Sequence, residues 1–266
     1  MTEHSAAVVR MRGIRKAYGG VQALKGVDLD LYLGETHALV GDNAAGKSTL
    51  IKILAGAVAR DAGTIAFDGA EVEIGDPRDA KALGVETVYQ DLALADNLDV
   101  SANVFLGREL TRSGPLGWFL DNRRMEARSR ELLARLKINI PDPRQKVRAM
   151  SGGQRQSIAL ARCVCFNARV VILDEPTAAL GVEETRKVYA LIREMRDHGR
   201  AVLIISHNMN HVFENCDRIT VMKTGRSVGS VKVSETHQEE IVRMIVSGVN
   251  PRAPRAEAEA EAPAAG

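Results

Sequence analysis

The sequence predicts an α/β protein: a mostly parallel core sheet covered by helices on both faces, with a helical lobe inserted into it. Three observations carry this. Val170-Val171-Ile172-Leu173 and Ala201-Val202-Leu203-Ile204-Ile205 are apolar throughout, as strands buried on both faces of a parallel sheet must be. Between them, Val188, Leu191, Ile192 and Met195 fall at i, i+3, i+4 and i+7 of an amphipathic helix over 183–198 closed by Gly199; strand, helix, strand is the rhythm of a βαβ unit. Gly41-Asp42-Asn43-Ala44-Ala45-Gly46-Lys47-Ser48-Thr49 fits G-x-x-x-x-G-K-[ST], with apolar Ala38-Leu39-Val40 before it and a helix-like stretch at 50–55 after it. That strand–loop–helix context is what this phosphate-binding pattern needs.

In chain order, residues 7–33 read as β structure. In Val27-Asp28-Leu29-Asp30-Leu31-Tyr32-Leu33 apolar and other residues mostly alternate, the mark of a half-exposed strand. Lys16-Ala17-Tyr18-Gly19-Gly20 is a turn that shows an aromatic ring just upstream of the phosphate loop, which makes Tyr18 a candidate platform for a nucleotide base. Gly56 reads as the C-cap of the helix at 47–55. Thr64-Ile65-Ala66-Phe67 enters a hairpin turn at Asp68-Gly69, and Val85-Glu86-Thr87-Val88-Tyr89 is a short strand ending at Gln90.

From about 91 to 165 the chain becomes helical and charged, with Leu132, Leu133 and Leu136 on one face of a helix at 125–137. Arg123, Arg124, Arg128, Arg130 and Arg135 read as a solvated face: acidic residues interleave and no aromatic does, against a nucleic-acid groove. Pro141 and Pro143 break the lobe. A small-residue loop, Met150-Ser151-Gly152-Gly153-Gln154, then precedes a helix at 155–164, and Thr224-Gly225-Arg226 marks a hairpin. The last helix opens on a capping-box pattern, Thr236 to Glu239, and ends at Gly248. We expect one nucleotide-binding domain over 1–250, its core at 1–90 and 166–250, and a disordered Pro, Ala and Glu tail at 251–266.

Bulk properties narrow the function. A hydrophobic content of 45% in 266 residues supports a sizeable core, and a net charge of +2 implies no strong pull toward nucleic acid. No apolar run approaches the roughly 18 residues that span a bilayer, and residues 1–10 lack a signal peptide's apolar centre. The expected location is therefore the cytosol, with a partner needed for work at a membrane. Cys163, Cys165 and Cys216 are too few for a disulfide framework; Cys163 and Cys165, two apart in a helix, point to different sides and read as small apolar residues.

Four polar points follow apolar strands: the 41–49 loop, Gln90, Asp174-Glu175 and His207. In open α/β sheets ligands bind beyond the carboxyl ends of the strands, so all four are placed to meet one nucleoside triphosphate. Backbone N–H groups of the loop would hold phosphate, Lys47 would reach the β- and γ-phosphates, and Ser48 and Asp174 would ligate Mg²⁺. Glu175 is placed to take a proton from the attacking water, Gln90 to orient that water or touch the metal, and His207 to bond the γ-phosphate. Ser151-Gly152-Gly153-Gln154 at a helix N-terminus is a second anion site. One γ-phosphate does not need two such loops from one chain. The simplest resolution is a head-to-tail dimer with two ATP molecules sandwiched between the copies.

As a set these motifs resemble the ATP-binding-cassette ATPases over about residues 8–248. The resemblance reads 41–49 as the phosphate loop, Gln90 as the glutamine loop, 151–154 as the signature, 170–175 as the metal strand with its glutamate, His207 as the switch histidine and Tyr18 as the adenine-stacking ring. It implies a P-loop NTPase fold with an antiparallel β subdomain beside the core sheet and an α-helical subdomain that docks on transmembrane subunits. It also implies that Ser151 and Gly153 touch the γ-phosphate held by the other subunit.

Tyr89-Gln90-Asp91-Leu92-Ala93-Leu94, Asn103-Val104-Phe105-Leu106-Gly107-Arg108-Glu109 and Glu175-Pro176-Thr177-Ala178-Ala179-Leu180-Gly181-Val182-Glu183-Glu184 are similar to the ATPases of bacterial ribose-, xylose- and fructose-type importers. That narrower likeness implies ATP and Mg²⁺ as cofactors and integral-membrane permease subunits as partners. A periplasmic sugar-binding protein would act indirectly through them, no nucleic acid is involved, and the chain would sit on the cytoplasmic face of the inner membrane. A soluble cassette ATPase acting on nucleic acid or the ribosome, or an ATP-binding regulator that does not cycle, are the rival readings. Two departures stand out. Most of the family has Gly at Ala44, in a loop that favours φ > 0, and an Asp that contacts the opposite subunit at Gly181.

Overall fold

The computed structural model describes residues 6–114, 117–166, 168–178 and 180–252. Among them the chain runs β1 (Val9–Tyr18), β2 (Val21–Leu31), β3 (Thr36–Gly41), α1 (Lys47–Leu54), β4 (Ala62–Phe67), β5 (Ala70–Glu71), α2 (Pro77–Ala82), β6 (Val85–Val88) and α3 (Val100–Val104). It continues through α4 (Asn122–Arg135), α5 (Gly152–Cys165), β7 (Val170–Asp174), α6 (Val182–Asp197), β8 (Ala201–Ile205), α7 (Met209–Asn215), β9 (Arg218–Lys223), β10 (Arg226–Lys232) and α8 (Gln238–Ser247).

The strands form a six-stranded sheet in the order β10-β9-β3-β8-β7-β6 and a four-stranded sheet in the order β2-β1-β4-β5. The larger sheet is parallel from β9 to β6, and only its β10 edge is antiparallel. The smaller sheet is antiparallel throughout. The α/β class, the antiparallel subdomain and the helices between β6 and β7 are all present as expected.

Burial explains the composition of the central strands. Val171 and Leu173 of β7, Val202 and Ile204 of β8 and Ala38 and Val40 of β3 pack with Ile158 of α5, Ile192 of α6 and Ile241 of α8. The alternate residues, Val170, Ile172, Leu203, Ile205 and Leu39, pack with Leu50, Ile51 and Leu54 of α1 and with Met11, Ile14 and Val27 of the antiparallel sheet. Both faces are covered, so neither set can be polar. Truncating one of these side chains, such as Ile172→Ala, costs about 2–5 kcal/mol. His37 is an exception inside β3. It is buried and pairs through Nε2 with Thr220 Oγ1 of β9 at 2.7 Å, and burial pushes its pKa down to about 3, so it is neutral at pH 7.

One local expectation holds and two shift. Gly56, in the left-handed region at φ 71°, closes α1 as the expected capping glycine: its N–H donates to the Ile53 carbonyl at 3.1 Å and the Ala57 N–H to the Lys52 carbonyl at 2.8 Å. Helix α5 begins at Gly152, not after Gln154: Ser151 Oγ accepts the Gln154 N–H at 3.3 Å while Gln154 Oε1 accepts the Ser151 N–H at 3.0 Å. That reciprocal box draws both glycines into the first helical turn.

At α8 the expected Thr236–Glu239 box is absent. Thr236 Oγ1 donates instead to Glu240 Oε2 at 2.7 Å, and the helix starts one residue later with His237 as an N-cap that makes no side-chain bond. Glu240 is already gripped by the Arg252 guanidinium through two 2.7 Å bonds. Arg252 belongs to the stretch expected as tail; residues 253–266 lie outside the described residues.

Candidate functional site

Strands β6, β7, β8 and β3 are neighbours in that order, and their register pairs Val88 with Leu173, Asp174 with Ile205 and Leu39 with Ile205. Their carboxyl ends open on one edge of the sheet. Gln90, Asp174-Glu175, His207 and the 41–49 loop all emerge there, as the strand-end argument requires.

The loop is shaped by close approaches. A Cβ on Gly41 would lie 2.1 Å from the Met222 carbonyl oxygen of β9. At Gly46, with φ 99°, a Cβ would lie 2.6 Å from Leu24 Cδ2. No side chain caps α1, and its first turn holds no acid. The helix therefore presents unpaired N–H groups and the positive end of its dipole outward. Asp42, Asn43, Ala44 and Ser48 are exposed around that end, Thr49 is half-buried and Ala45 is buried. Ala44 has φ 65°, so the departure from glycine places a Cβ in the left-handed region, at about 1–2 kcal/mol.

Lys47 Nζ donates to the carbonyl oxygens of Gly41 at 2.7 Å and Asp42 at 2.9 Å, folding the cation onto its own loop. Burial lowers the Lys47 pKa, opposed by Glu175, Asp42 and Asp174. Across the edge, burial first and Glu175 second raise the Asp174 carboxyl, with Lys47 and Lys52 pulling the other way. The loop lysine and both carboxylates thus share one field.

Glu175 sits in the left-handed region at φ 50°, its N–H held by the Ile205 carbonyl at 3.0 Å. Its Oε1 lies 2.9 Å from His207 Nδ1, a hydrogen bond when Nδ1 carries the proton. The glutamate side chain is 18% exposed and the histidine 78%: the carboxylate is recessed and the imidazole faces solvent.

Among the described residues no three His, Cys, Asp or Glu side chains converge to hold a metal by themselves. The available donors, the Ser48 hydroxyl, the Asp174 carboxylate and the Gln90 amide, are oxygen ligands and few. That suits Mg²⁺, which keeps waters and shares phosphate oxygens rather than filling a protein cage. Tyr18 closes β1 and is 48% exposed, with Lys16 Nζ 5.7 Å from its ring centroid.

The signature residues are placed elsewhere. Ser151, Gly153 and Gln154 line a cleft of about 710 Å³ between α5, α6 and the end of α4, with Lys137, Glu184 and Lys187 around it. Glu175 and His207 border a different cleft of about 480 Å³. A Cβ on Gly153 would fall 2.3 Å from Glu184 Cγ, so the glycine is required by the α6 side chain lying across it. At Gly181, the N-cap of α6, a Cβ would meet Glu184 Oε2 at 2.8 Å.

One connection escaped sequence reasoning. The segment after Gln90 is tied to α5: Arg155 pairs with the Asp96 carboxylate, Arg162 donates to the Ala93 carbonyl at 3.3 Å, and the Arg148 N–H donates to the Asp96 carbonyl at 3.1 Å. Asp96 and Arg155 are 59 residues apart, and no local pattern pairs them.

Comparison with known proteins agrees with this geometry. Residues 24–178 match the family described as ABC transporter. The chain is 45% identical over 240 residues to the xylose/arabinose import ATP-binding protein of Sulfolobus acidocaldarius, covering 90% of this chain and 94% of that one. It is 44% identical over 248 residues to the fructose import ATP-binding protein of Rhizobium meliloti, covering 92% and 95%. Against a ribose import ATP-binding protein of Streptomyces avermitilis it is 44% identical but spans only 45% of the relative's length. Among solved structures, a nucleotide-free ATP-binding cassette from an ABC transporter superposes with a TM-score of 0.76 at 23% identity, covering 91% of this chain and 95% of that one. The match over most of the phosphate-loop, signature and metal-strand region, joined to near-full-length relatives, places this chain in the ABC transporter family.

Proposed function

We propose that this chain is the ATP-hydrolysing subunit of an importer for a monosaccharide of the xylose, ribose or fructose type. The observation that carries the reading is the convergence of Lys47, Asp174 and the Glu175–His207 pair at adjacent ends of parallel strands. The near-full-length relatives named as sugar import proteins supply the cargo class. In this reading the 41–49 backbone and Lys47 hold the β- and γ-phosphates, Lys47 leaving the Gly41 and Asp42 carbonyls to do so. Tyr18 stacks on adenine. Ser48, Asp174 and Gln90 hold Mg²⁺, which when bound neutralises charge on the phosphate oxygens.

Glu175 takes a proton as a water oxygen bonds to the γ-phosphorus and the bond to the bridging oxygen breaks. His207 orients Glu175 and turns to the γ-phosphate. Ser151, Gly152, Gly153 and Gln154 complete the site of a second copy, which fits their placement on a cleft separate from Glu175 and His207.

No described helix is long and apolar enough to cross a membrane. The chain would therefore reach the cytoplasmic face of the membrane through permease subunits docked on the lobe at 91–165, which receive the substrate from a periplasmic sugar-binding protein. The Asp96–Arg155 pair joins the segment after Gln90 to the signature helix. Affinity purification of the chain with its membrane partner, followed by ATP-driven uptake in proteoliposomes over a panel of pentoses and hexoses, tests the reading. Permease-stimulated hydrolysis with uptake of one such sugar supports it. Hydrolysis stimulated by nucleic acid, with no membrane partner captured, overturns it.

A further inference from the structure

Two consecutive residues just after Gln90 have left-handed backbones without being glycine: Leu92 at φ 58° and Ala93 at φ 44°. Such a pair is strained, and it persists only where the surroundings hold it. Gln90 precedes the pair in a turn closed by the Leu92 N–H, which donates to the Tyr89 carbonyl at 2.9 Å. The backbone that carries Gln90 is therefore tied to whatever keeps Leu92 and Ala93 in place.

Asn103 of α3 supplies the hold. It is fully buried. Its Oδ1 accepts the Ala95 N–H at 2.7 Å, and its Nδ2 donates to the carbonyls of Ala95 at 3.0 Å and Asp99 at 2.9 Å. One amide thus clamps both backbone groups of Ala95, two residues beyond the strained pair. Helix α3 does not need that clamp to begin, because Asp99 caps it by accepting the Ala102 N–H at 2.7 Å.

The same stretch is fastened to the core sheet. Arg108 pairs with Glu86 of β6 at 2.6 Å and lies 4.4 Å from the centroid of the Phe166 ring at the end of α5. Phe105 meets that ring edge-on at 5.9 Å. Glu86 precedes Gln90 and Ala95 follows it, so residues 103–108 grip the chain on both sides of the glutamine.

We propose that Asn103 is a positioning residue for Gln90: its amide keeps Leu92 and Ala93 in the left-handed conformation that sets the turn carrying Gln90, and Arg108 makes the hold rigid by fixing α3 to β6. This role rests on the one given above to Gln90 in holding Mg²⁺ or directing water. Asn103, being buried, acts through the backbone.

Asn103→Ser removes the clamp and leaves a small polar side chain. Amide hydrogen exchange of the full chain without nucleotide reads the turn directly. The Leu92 N–H, which Asn103 does not touch, should lose protection while amides of β7 and β8 keep theirs. In steady-state ATP hydrolysis over a range of Mg²⁺ concentrations, kcat should fall about 10-fold, the loss expected of a residue that supports a metal ligand. More Mg²⁺ should be needed for half-maximal rate, and KM for ATP should hold. In a Gln90→Ala background the same substitution should cost little further, since both changes act through one side chain. Adding Ala93→Gly to Asn103→Ser should restore part of kcat, because glycine takes the left-handed conformation without strain. A purely structural asparagine would not be rescued by a more flexible loop.

Either Leu92 protection or kinetics left at wild-type values in Asn103→Ser overturns the proposal. So do losses that multiply with those of Gln90→Ala, or no recovery with Ala93→Gly. Wild-type kcat and Mg²⁺ dependence in Gln90→Ala alone would instead remove the role of Gln90, and the proposal with it. If Asn103→Ser does not fold, Arg108→Gln, which frees α3 from Glu86, carries the same readings and the same outcomes.

Discussion

Glu175 Oε1 and His207 Nδ1 are 2.9 Å apart, although the glutamate backbone is in the left-handed region at φ 50°. A non-glycine residue held in that region at a strand end is strain that the surrounding sheet maintains, here through the Glu175 N–H to the Ile205 carbonyl at 3.0 Å. It aims a recessed carboxylate at an exposed imidazole across the ends of β7 and β8.

If Glu175 is the proton acceptor, Glu175→Gln keeps the shape and loses the base. Steady-state hydrolysis should fall about 10²–10⁴-fold, while ATP still binds and the protein accumulates as an ATP-bound dimer on size-exclusion chromatography. His207→Ala should also slow turnover with little change in ATP affinity, since it frees Glu175 to leave its position. Hydrolysis by Glu175→Gln at the wild-type rate would remove Glu175 from that role.

Tyr18 is 48% exposed, with Lys16 Nζ 5.7 Å from its ring centroid. Tyr18→Ala should weaken ATP binding by about 1–3 kcal/mol, and Tyr18→Trp should preserve it. Calorimetric titration with ATP and with tripolyphosphate separates the contributions: only the ATP value should respond. Equal losses for both ligands would place Tyr18 in loop support instead of stacking.

The strain at Ala44 predicts a change in stability without a change in affinity. Ala44→Gly removes about 1–2 kcal/mol of left-handed cost and adds roughly 0.5–1 kcal/mol of unfolded-state entropy. The net gain should lie between about 0 and about 1.5 kcal/mol in urea unfolding. Because the loop holds φ 65° at Ala44, a conformation that glycine also adopts, the ATP dissociation constant should stay put. Marked tightening in Ala44→Gly would mean that the loop reaches this conformation only on binding.

What could be read beforehand follows from how local each cause is. The buried strands at 170–173 and 201–205 were legible because coverage of both faces leaves no polar positions to confuse the pattern. The strand-end polar residues were legible because parallel strands deliver them to one edge. Helix α2 also carries a local signal that went unread: Asp76 accepts from the Arg78 and Asp79 N–H groups, with Pro77 at the first helical position. The missing α8 box was not readable, since Glu240 is engaged by Arg252 twelve residues on. Neither the φ of Glu175 nor the folding of Lys47 onto the Gly41 carbonyl has a sequence signature. Both arise from the sheet edge as a whole.

Gly153 and Glu184 offer a test of the α5–α6 contact. The Cβ of Gly153→Ala would meet Glu184 Cγ at 2.3 Å and Glu184 Cβ at 2.9 Å. Relieving that overlap requires α5 to shift, at about 1–3 kcal/mol. Adding Glu184→Ala removes the closer contact but keeps the Cβ, so the double variant should recover part of the loss and not all of it. A double-mutant cycle on urea midpoints measures the coupling. Strict additivity would show that the two residues do not restrain one another.

His37 makes stability depend on pH. Its ordinary pKa of 6.5 falls to about 3 in the folded chain, chiefly through burial and secondarily through Arg218. Between those values the unfolded chain binds a proton that the folded chain refuses. Stability is therefore undiminished above pH 6.5, declines as pH falls below it, and stops declining from this source near pH 3. At pH 5 the loss is about 2 kcal/mol, since each unit is worth about 1.4 kcal/mol. His37→Gln retains an amide N–H to face Thr220 and does not titrate. Urea unfolding at pH 7.5 and pH 5 should show the wild type losing about 2 kcal/mol more than His37→Gln over that interval, with the two proteins running parallel above pH 7. A parallel fall in both proteins across the acid range would assign the pH dependence to other groups.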